Sequence, residues 1–320
     1  MSPLAGLRPP LLLTALSVLV LLGACEHGAT GSYGDDDDDS SPLVVGDDDD
    51  SPNDDDDTGE SGLPCNGHVE LCARRFDQVA LPATHNSMSN REDGWWVPNQ
   101  NLPIVRQLED GIRGLMLDTY YWNDDLYLCH SSCLLGSKHL VEALVEIREF
   151  LAGNPREVLV IIFQDGISAE DTAGAFEAAD LGAYLHGQLE GQTWPTLGEM
   201  IDSGRRLVVG AESSGPPPSW YHHAWDLYFD TPYSFASVED FSCELHRGQE
   251  GNPLFLVNHW LSTPLASESN AALANSWSVL HQRAIDCHQE QQQIANLLAV
   301  DFYDQGDLFQ VVNALNGVGR

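Results

Sequence analysis

The chain has 320 residues, 49 of them acidic and 14 basic, for a formal net charge of −35. Residues 35–60 alone hold 13 Asp and one Glu with no Lys or Arg, and without those 14 charges the remainder still stands at −21. This excludes a nucleic-acid binder, which needs clustered basic residues to neutralise phosphates, and leaves no basic patch to draw the chain to an anionic lipid surface.

In chain order, residues 1–25 read as an export signal. Arg8 gives a weak positive start, and Leu11 to Leu22 is apolar apart from Thr14 and Ser17. That run is too short for a membrane-spanning helix, which needs about 20 apolar residues. It closes on Leu22-Gly23-Ala24-Cys25, which resembles the lipobox of bacterial lipoproteins. The resemblance implies removal of the leader, lipidation of Cys25, and a membrane-anchored lipoprotein at the cell surface or in the periplasm. An ordinary cleaved signal is the alternative. Residues 26–61 are rich in Asp, Ser, Gly and Pro. Their charges repel and nothing there can build a core, so they read as a disordered, extended linker. The Asp tracts lack the fixed spacing and turn glycine of a calcium loop.

Residues 62–320 read as one domain of the size usual for a (β/α)8 barrel. Short apolar runs in it stop repeatedly on a residue that can move a proton or hold a cation: His85, Asp118, His130, Asp165, Glu212, His259 and Asp301. Runs this apolar predict strands buried on both faces, as in a parallel sheet. In a parallel barrel the strand C-termini share one rim, where chemistry collects, so the seven endings predict a single polar mouth. Leu140, Leu144, Ile147 and Leu151 fall on one helical face. Residues 171–185, 271–292 and 307–315 also read as helices. Strand and helix alternate, the α/β pattern. Residues 213–252, Pro-rich and then aromatic, read as irregular connections. The predicted fold is therefore a TIM-type (β/α)8 barrel, distorted or incomplete.

Seven cysteines are present, and with Cys25 set aside six remain. An even set in an exported chain points to disulfides. Fifteen pairings exist; short spacing favours Cys65–Cys72 and Cys129–Cys133, leaving Cys243–Cys287. The rival is a metal site at Cys129, His130 and Cys133, which an oxidising compartment argues against.

His85 and His130, each at the end of an apolar run, carry the clearest chemistry. One imidazole can take a proton from a nucleophile while another gives one to a leaving group, and histidine does either near neutral pH. His139, His186, His281 and His288 fall in stretches read as helical and solvated, and His222-His223 in an aromatic loop is not read as a ligand pair.

The segments Ala83-Thr84-His85-Asn86-Ser87-Met88-Ser89, Gly111-Ile112-Arg113-Gly114-Leu115-Met116-Leu117-Asp118 and Leu128-Cys129-His130-Ser131, in this order, resemble the X domain of phosphatidylinositol-specific phospholipase C. The resemblance extends over about 78–316 and is strongest to the extracellular, X-domain-only branch of bacteria, fungi and plants. It implies a phosphoric diester hydrolase with three catalytic positions. His85 would be the base that deprotonates the inositol 2-hydroxyl, His130 the acid that protonates the departing glycerol oxygen, and Asp301 the carboxylate that orients His85. Asn86, Asp118 and Asp165 would offer oxygen ligands to calcium, although Met116 and Gln164-Asp165 depart from the calcium-dependent pattern. Arg113 is the alternative cation. Tyr233, Glu212 and His259 would contact substrate, with Glu212 standing where metal-independent enzymes place an arginine. The implied partner is a phospholipid or small phosphodiester, met by a monomer. The alternatives are a glycerophosphodiesterase or sphingomyelinase D-like enzyme, whose usual Glu and Asp ligand motif is absent, and a non-catalytic surface lipoprotein that binds lipid or sugar.

Overall fold

The computed structural model describes residues 62–262 and 265–319. The export signal, Cys25 and the Asp-rich linker lie outside the described residues.

The first strand, β1 (Leu81–Thr84), is buried along its whole length. A polar loop leads to α1 (Ile104–Asp110), and β2 (Gly114–Trp122) follows. Asn123 and Asp124, both at positive φ, then turn the chain into an antiparallel hairpin with β3 (Asp125–Cys129), which pairs onward with β4 (Ser137–His139). The long amphipathic α2 (Leu140–Gly153) leads to β5 (Leu159–Asp165). Next come α3 (Ala169–Ala178), capped by Ser168, and α4 (Leu197–Asp202), capped by a reciprocal Thr196–Glu199 box. Strand β6 (Leu207–Ala211) is followed by β7 (Tyr221–His223), α5 (Ala224–Leu227) and β8 (Tyr228–Asp230) in quick succession. The chain ends with β9 (Leu254–His259), α6 (Glu268–Ala274), α7 (Trp277–Gln291), β10 (Leu297–Val300) and α8 (Leu308–Asn316).

Eight strands pair in parallel in the order β7-β6-β5-β2-β1-β10-β9-β8. Among the described residues no ladder joins β7 to β8, so the sheet curls into an incomplete barrel with its seam there. The predicted α/β barrel, distorted or incomplete, is the fold observed.

Strand alternation divides the core in two. Leu81, Ala83, Met116, Val160, Ile162, Val208, Leu254, Leu256, Leu297 and Ala299 fill the barrel interior. Their neighbours Leu115, Leu117, Ile161, Phe163, Val209, Phe255, Val257, Leu298 and Val300 pack outward against the helices. Phe76, Leu71 and the Cys65–Cys72 disulfide join the inner cluster. Disulfides also join Cys129 to Cys133 and Cys243 to Cys287, the pairing favoured by spacing, which removes the rival metal site.

Several element readings change. The run ending at His130 is not a barrel strand but β3, in a hairpin off the barrel path. The supposedly irregular 213–252 contributes β7 and β8. The helix read at 271–292 is two helices, broken at Asn275-Ser276, and the one read at 171–185 stops at Ala178. His139 lies on β4 rather than in a helix, bonded to the Tyr127 hydroxyl and partly exposed, and His186 is buried against Gln188 rather than solvated.

Candidate active site

A cavity of about 220 Å³ opens at the strand C-terminal end, lined by His85, Asn86, Met116, Asp118, Tyr120, His130, Gln164, Glu212, Tyr233, Arg247 and Trp260, among others. Strand parity explains the lining. His85 and Asp301 continue the inward-facing registers of β1 and β10; Asp118, Gln164 and Glu212 continue those of β2, β5 and β6.

The same parity corrects two sequence expectations. His259 falls on the outward register of β9 and is fully buried, with Nε2 donating to the Ala274 carbonyl at 2.8 Å and Nδ1 facing Arg283. It is not a substrate contact, and the next residue, Trp260, enters the cavity instead. Asp165 likewise lies one residue past the inward Gln164 and accepts from Ser213 N at 2.8 Å. Asp165 therefore does not join Asn86 and Asp118, which do meet in the cavity, and among the described residues no three His, Cys, Asp or Glu groups are disposed to hold a metal. With Asp165 turned away, the donor set does not fit the expected calcium site, which needs six to eight oxygens. Arg113 is no substitute. It sits at the far end of β2, where Nε donates to Glu157 at 2.7 Å and Nη1 to the Leu108 and Ile112 carbonyls.

The imidazoles of His85 and His130 do come together. His85 Nδ1 lies 2.9 Å from Asp301 Oδ1, which also accepts from Asn99 Nδ2 at 3.0 Å. Gln100 ties the His85 and Val300 carbonyls together, and Asn275 Nδ2 donates to the Asp301 carbonyl. Trp260 stacks on the His85 ring, with centroids 3.8 Å apart and planes within 4°. The His85 ring is thus fixed at its edge and on its face, with Nε2 turned to the cavity.

Asn86, at φ +47, stands between the two histidines. In one amide orientation its nitrogen lies 3.0 Å from His85 Nε2 and 3.3 Å from His130 Nε2. Turned over, that nitrogen donates to both Asp118 oxygens at 3.1 and 3.2 Å, and the amide oxygen accepts from His85 Nε2. The second orientation satisfies both amide atoms, and in either, one amide atom lies within reach of both imidazoles.

Burial lowers the His130 pKa from its ordinary value, and the nearby His85 lowers it further. Burial pushes Asp118 up to about 7, opposed by His85 and reinforced by Glu212. Burial also raises Glu212, against the pull of Arg247.

Arg247, absent from the sequence-based list, is the one Lys or Arg lining the cavity among the described residues. Its Nη1 donates to Glu212 at 2.8 Å, while Nε and Nη2 clamp the buried Asp230 at 2.9 and 2.6 Å. The guanidinium also lies over the Trp225 and Tyr233 rings, 4.1 and 4.9 Å from their centroids. Gly248, at φ +82, lets the loop pass against β8; a Cβ there would collide with the Tyr228 carbonyl. Asn99 and Arg247 sit in loops with no periodic pattern, so no local signal marked them. Trp260 could have been found from the alternation of β9, which the reading of His259 passed over.

The family model described as PI-PLC X 1 matches residues 71–316. This chain belongs to the PI-PLC X domain family. An uncharacterized secreted protein of Arthroderma benhamiae is 29% identical over 288 residues, covering 80% of this chain and 64% of its own length. A PI-PLC X domain-containing protein 1 of the same fungus is 28% identical over 80% of this chain and 90% of its own. The PI-PLC X domain-containing protein At5g67130 of Arabidopsis thaliana is 26% identical over 76% of this chain and 62% of its own. The chain thus spans less than two thirds of two of these relatives. In structure, it is similar to a single-site mutant of the phosphatidylinositol-specific phospholipase C of Staphylococcus aureus, with a TM-score of 0.53 at 12% identity over 78% of this chain and 95% of that one. That likeness is one of fold. The PI-PLC X domain relatives are fungal and plant.

Proposed function

We propose that this PI-PLC X domain protein is a phosphoric diester hydrolase of the phospholipase C type. The observation that carries the reading is one amide, Asn86, within hydrogen-bond reach of both the His85 and His130 Nε2 atoms, with His85 held from behind by Asp301. Two imidazoles so placed can flank one phosphorus atom.

In the proposed first step, His85 Nε2 takes the proton of a headgroup hydroxyl neighbouring the phosphate. That oxygen attacks phosphorus, and the bond from phosphorus to the glycerol oxygen breaks. His130 gives its proton to the leaving alkoxide, releasing a diacylglycerol and leaving a cyclic phosphodiester. Asp301 stabilises the imidazolium formed on His85 and fixes its tautomer. A lowered pKa makes His130 the stronger acid towards the leaving oxygen. In a second step water opens the ring with the roles reversed. Glu212, Arg247 and Tyr233 would hold the headgroup, the charged pair meeting its hydroxyls and the ring its apolar face.

The domain follows, on this reading, a signal at 1–25 and a spacer at 26–61, with lipidated Cys25 as the membrane anchor. Three disulfides and a secreted relative support export. The resemblance of residues 22–25 to a lipobox supports the anchor.

The test is incubation with phosphatidylinositol, other phospholipids and soluble glycerophosphodiesters, followed by mass spectrometry of the products. Diacylglycerol with a phosphorylated headgroup is expected. Intact diesters throughout, with lipid or sugar retained on the protein, would replace the reading by the non-catalytic binder.

A further inference from the structure

The two imidazoles of the cavity are held in different ways. His85 follows a barrel strand, and its ring is fixed by Asp301 at the edge and Trp260 on the face. His130 follows β3, which lies off the barrel path and ends at Cys129. Among the described residues its ring has one hydrogen-bond partner, the Asn86 amide, 3.3 Å from Nε2, and no carboxylate stands behind Nδ1. No side chain orients His130 as Asp301 orients His85, so its placement must come from the backbone that carries it.

That backbone is closed by a covalent tie. Cys129 pairs with Ser137 across the hairpin, which leaves 130–136 as the connection. The far half is braced: the Leu135 carbonyl accepts from Trp96 N at 2.7 Å, and Gly136 lies against buried Trp95, where any Cβ would strike the ring. The near half, 130–132, carries the histidine, and the Cys129–Cys133 disulfide joins it to the far half. Within the closed segment Cys129-His130-Ser131-Ser132-Cys133, Ser131 sits at φ +62 and Ser132 N donates to the His130 carbonyl at 2.6 Å. This is a γ-turn of positive φ, the rare and strained form, and such strain persists only where the surroundings over-determine it.

We propose that the Cys129–Cys133 disulfide is a positioning device for the proton donor: it locks the 130–132 turn so that the His130 ring stays in reach of the bond that breaks. The proposal rests on the catalytic reading, in which His130 protonates the leaving alkoxide. General acid catalysis is worth about 100-fold or more, and a misplacement of about 1 Å can forfeit that much. The tie does for His130 what Asp301 and Trp260 do for His85.

Leaving-group dependence separates this role from plain stabilisation. A glycerol alkoxide needs a proton as it departs; a nitrophenolate, a far weaker base, does not. The experiment compares the full chain with C129A/C133A and with C129V/C133A, which refills the buried Cys129 site. The probes are a short-chain phosphatidylinositol and the nitrophenyl ester of inositol phosphate. In both variants kcat should fall at least about tenfold on the lipid and stay within about threefold on the nitrophenyl ester, with a parent-like circular dichroism spectrum. C65S/C72S opens the disulfide beside Val158 at the other end of the barrel and should keep the parent's ratio of the two rates. Equal falls on both esters, an unchanged ratio, or loss of the fold in both variants would overturn the proposal. The His130 Hε1 signal, assigned by its absence in H130A, should be one sharp line in the parent and broaden or split in the variants; lines equally sharp in all would also overturn it. If the parent turns over neither ester, the catalytic reading fails, and that line alone decides the positioning role.

Discussion

At the scale of the residue, the proposed chemistry depends on how His85 is held. Replacing Asp301 with Asn keeps the shape but removes the charge that orients and stabilises the imidazolium. D301N should lower kcat by at least about 100-fold, with a melting temperature close to that of the parent; kcat within a few-fold of the parent would remove Asp301 from the mechanism. Arg247 makes a different prediction. Its bonds to Glu212 and Asp230 need the planar guanidinium fork, so R247A should raise KM by about tenfold or more, and R247K should not restore it. Unchanged KM in both variants would take Arg247 out of headgroup binding. Much of the site was legible in the sequence, because His85, Asp118, His130, Glu212 and Asp301 end apolar runs and do line or adjoin the cavity. His259 and Asp165 end such runs too, but on the outward register. The run's last residue was the wrong guide; period-two parity carried from the inner residues Leu254 and Leu256 leads to Trp260, and from Val160 and Ile162 to Gln164.

Elements place what no single residue can. Arg247 comes from the long connection between β8 and β9, and the Cys243–Cys287 disulfide pins that connection to α7. Arg283 of α7 reinforces the attachment, donating to the Asn258 and Ser242 carbonyls at 2.8 and 2.9 Å. Closing a loop of 44 residues is worth about 4 kcal/mol on the chain-entropy view. The variant C243S/C287S should therefore lose several degrees of melting temperature and raise KM more than it lowers kcat; a fall confined to kcat would contradict this account of the connection. The elements that sequence periodicity misjudged have local causes. The β2–β3 hairpin turns on Asn123-Asp124, a two-residue pair at positive φ, which is a hairpin signal in its own right. The helix read across 271–292 breaks at Asn275-Ser276, where the Asn275 carbonyl accepts from Asp307 N and Trp277 N donates to the Asp307 carboxylate, so these backbone groups leave the helical ladder. Strands β7 and β8 have three residues each, too short for alternation to reveal.

For the whole molecule, burial of neutral histidine couples stability to pH. Complete burial, with Arg283 beside it, pushes His259 from 6.5 down to about 3. Burial also lowers His186 and His222. Between about pH 3 and 6.5 the unfolded chain therefore binds more protons than the folded one, so this contribution is fully present above pH 6.5 and fades as pH falls. For His259 the slope approaches about 1.4 kcal/mol per pH unit. The buried carboxyls Asp118 and Glu212, both raised, act in the opposite sense, so the test is the difference between proteins: from pH 6.5 downward the urea midpoint of the parent should lose ground relative to that of H259N, and parallel pH profiles in the two would contradict the buried neutral imidazole. The barrel, its core and its three disulfides gather two imidazoles at one acidic mouth, and that pairing is the claim on which the functional account stands. Phosphorus NMR of a cleavable diester tests it most directly. A cyclic phosphate signal should rise before the open-chain monophosphate, and both should vanish in H85A and in H130A while circular dichroism stays unchanged. Monophosphate formed with no cyclic precursor, or substantial turnover in either variant, would contradict it.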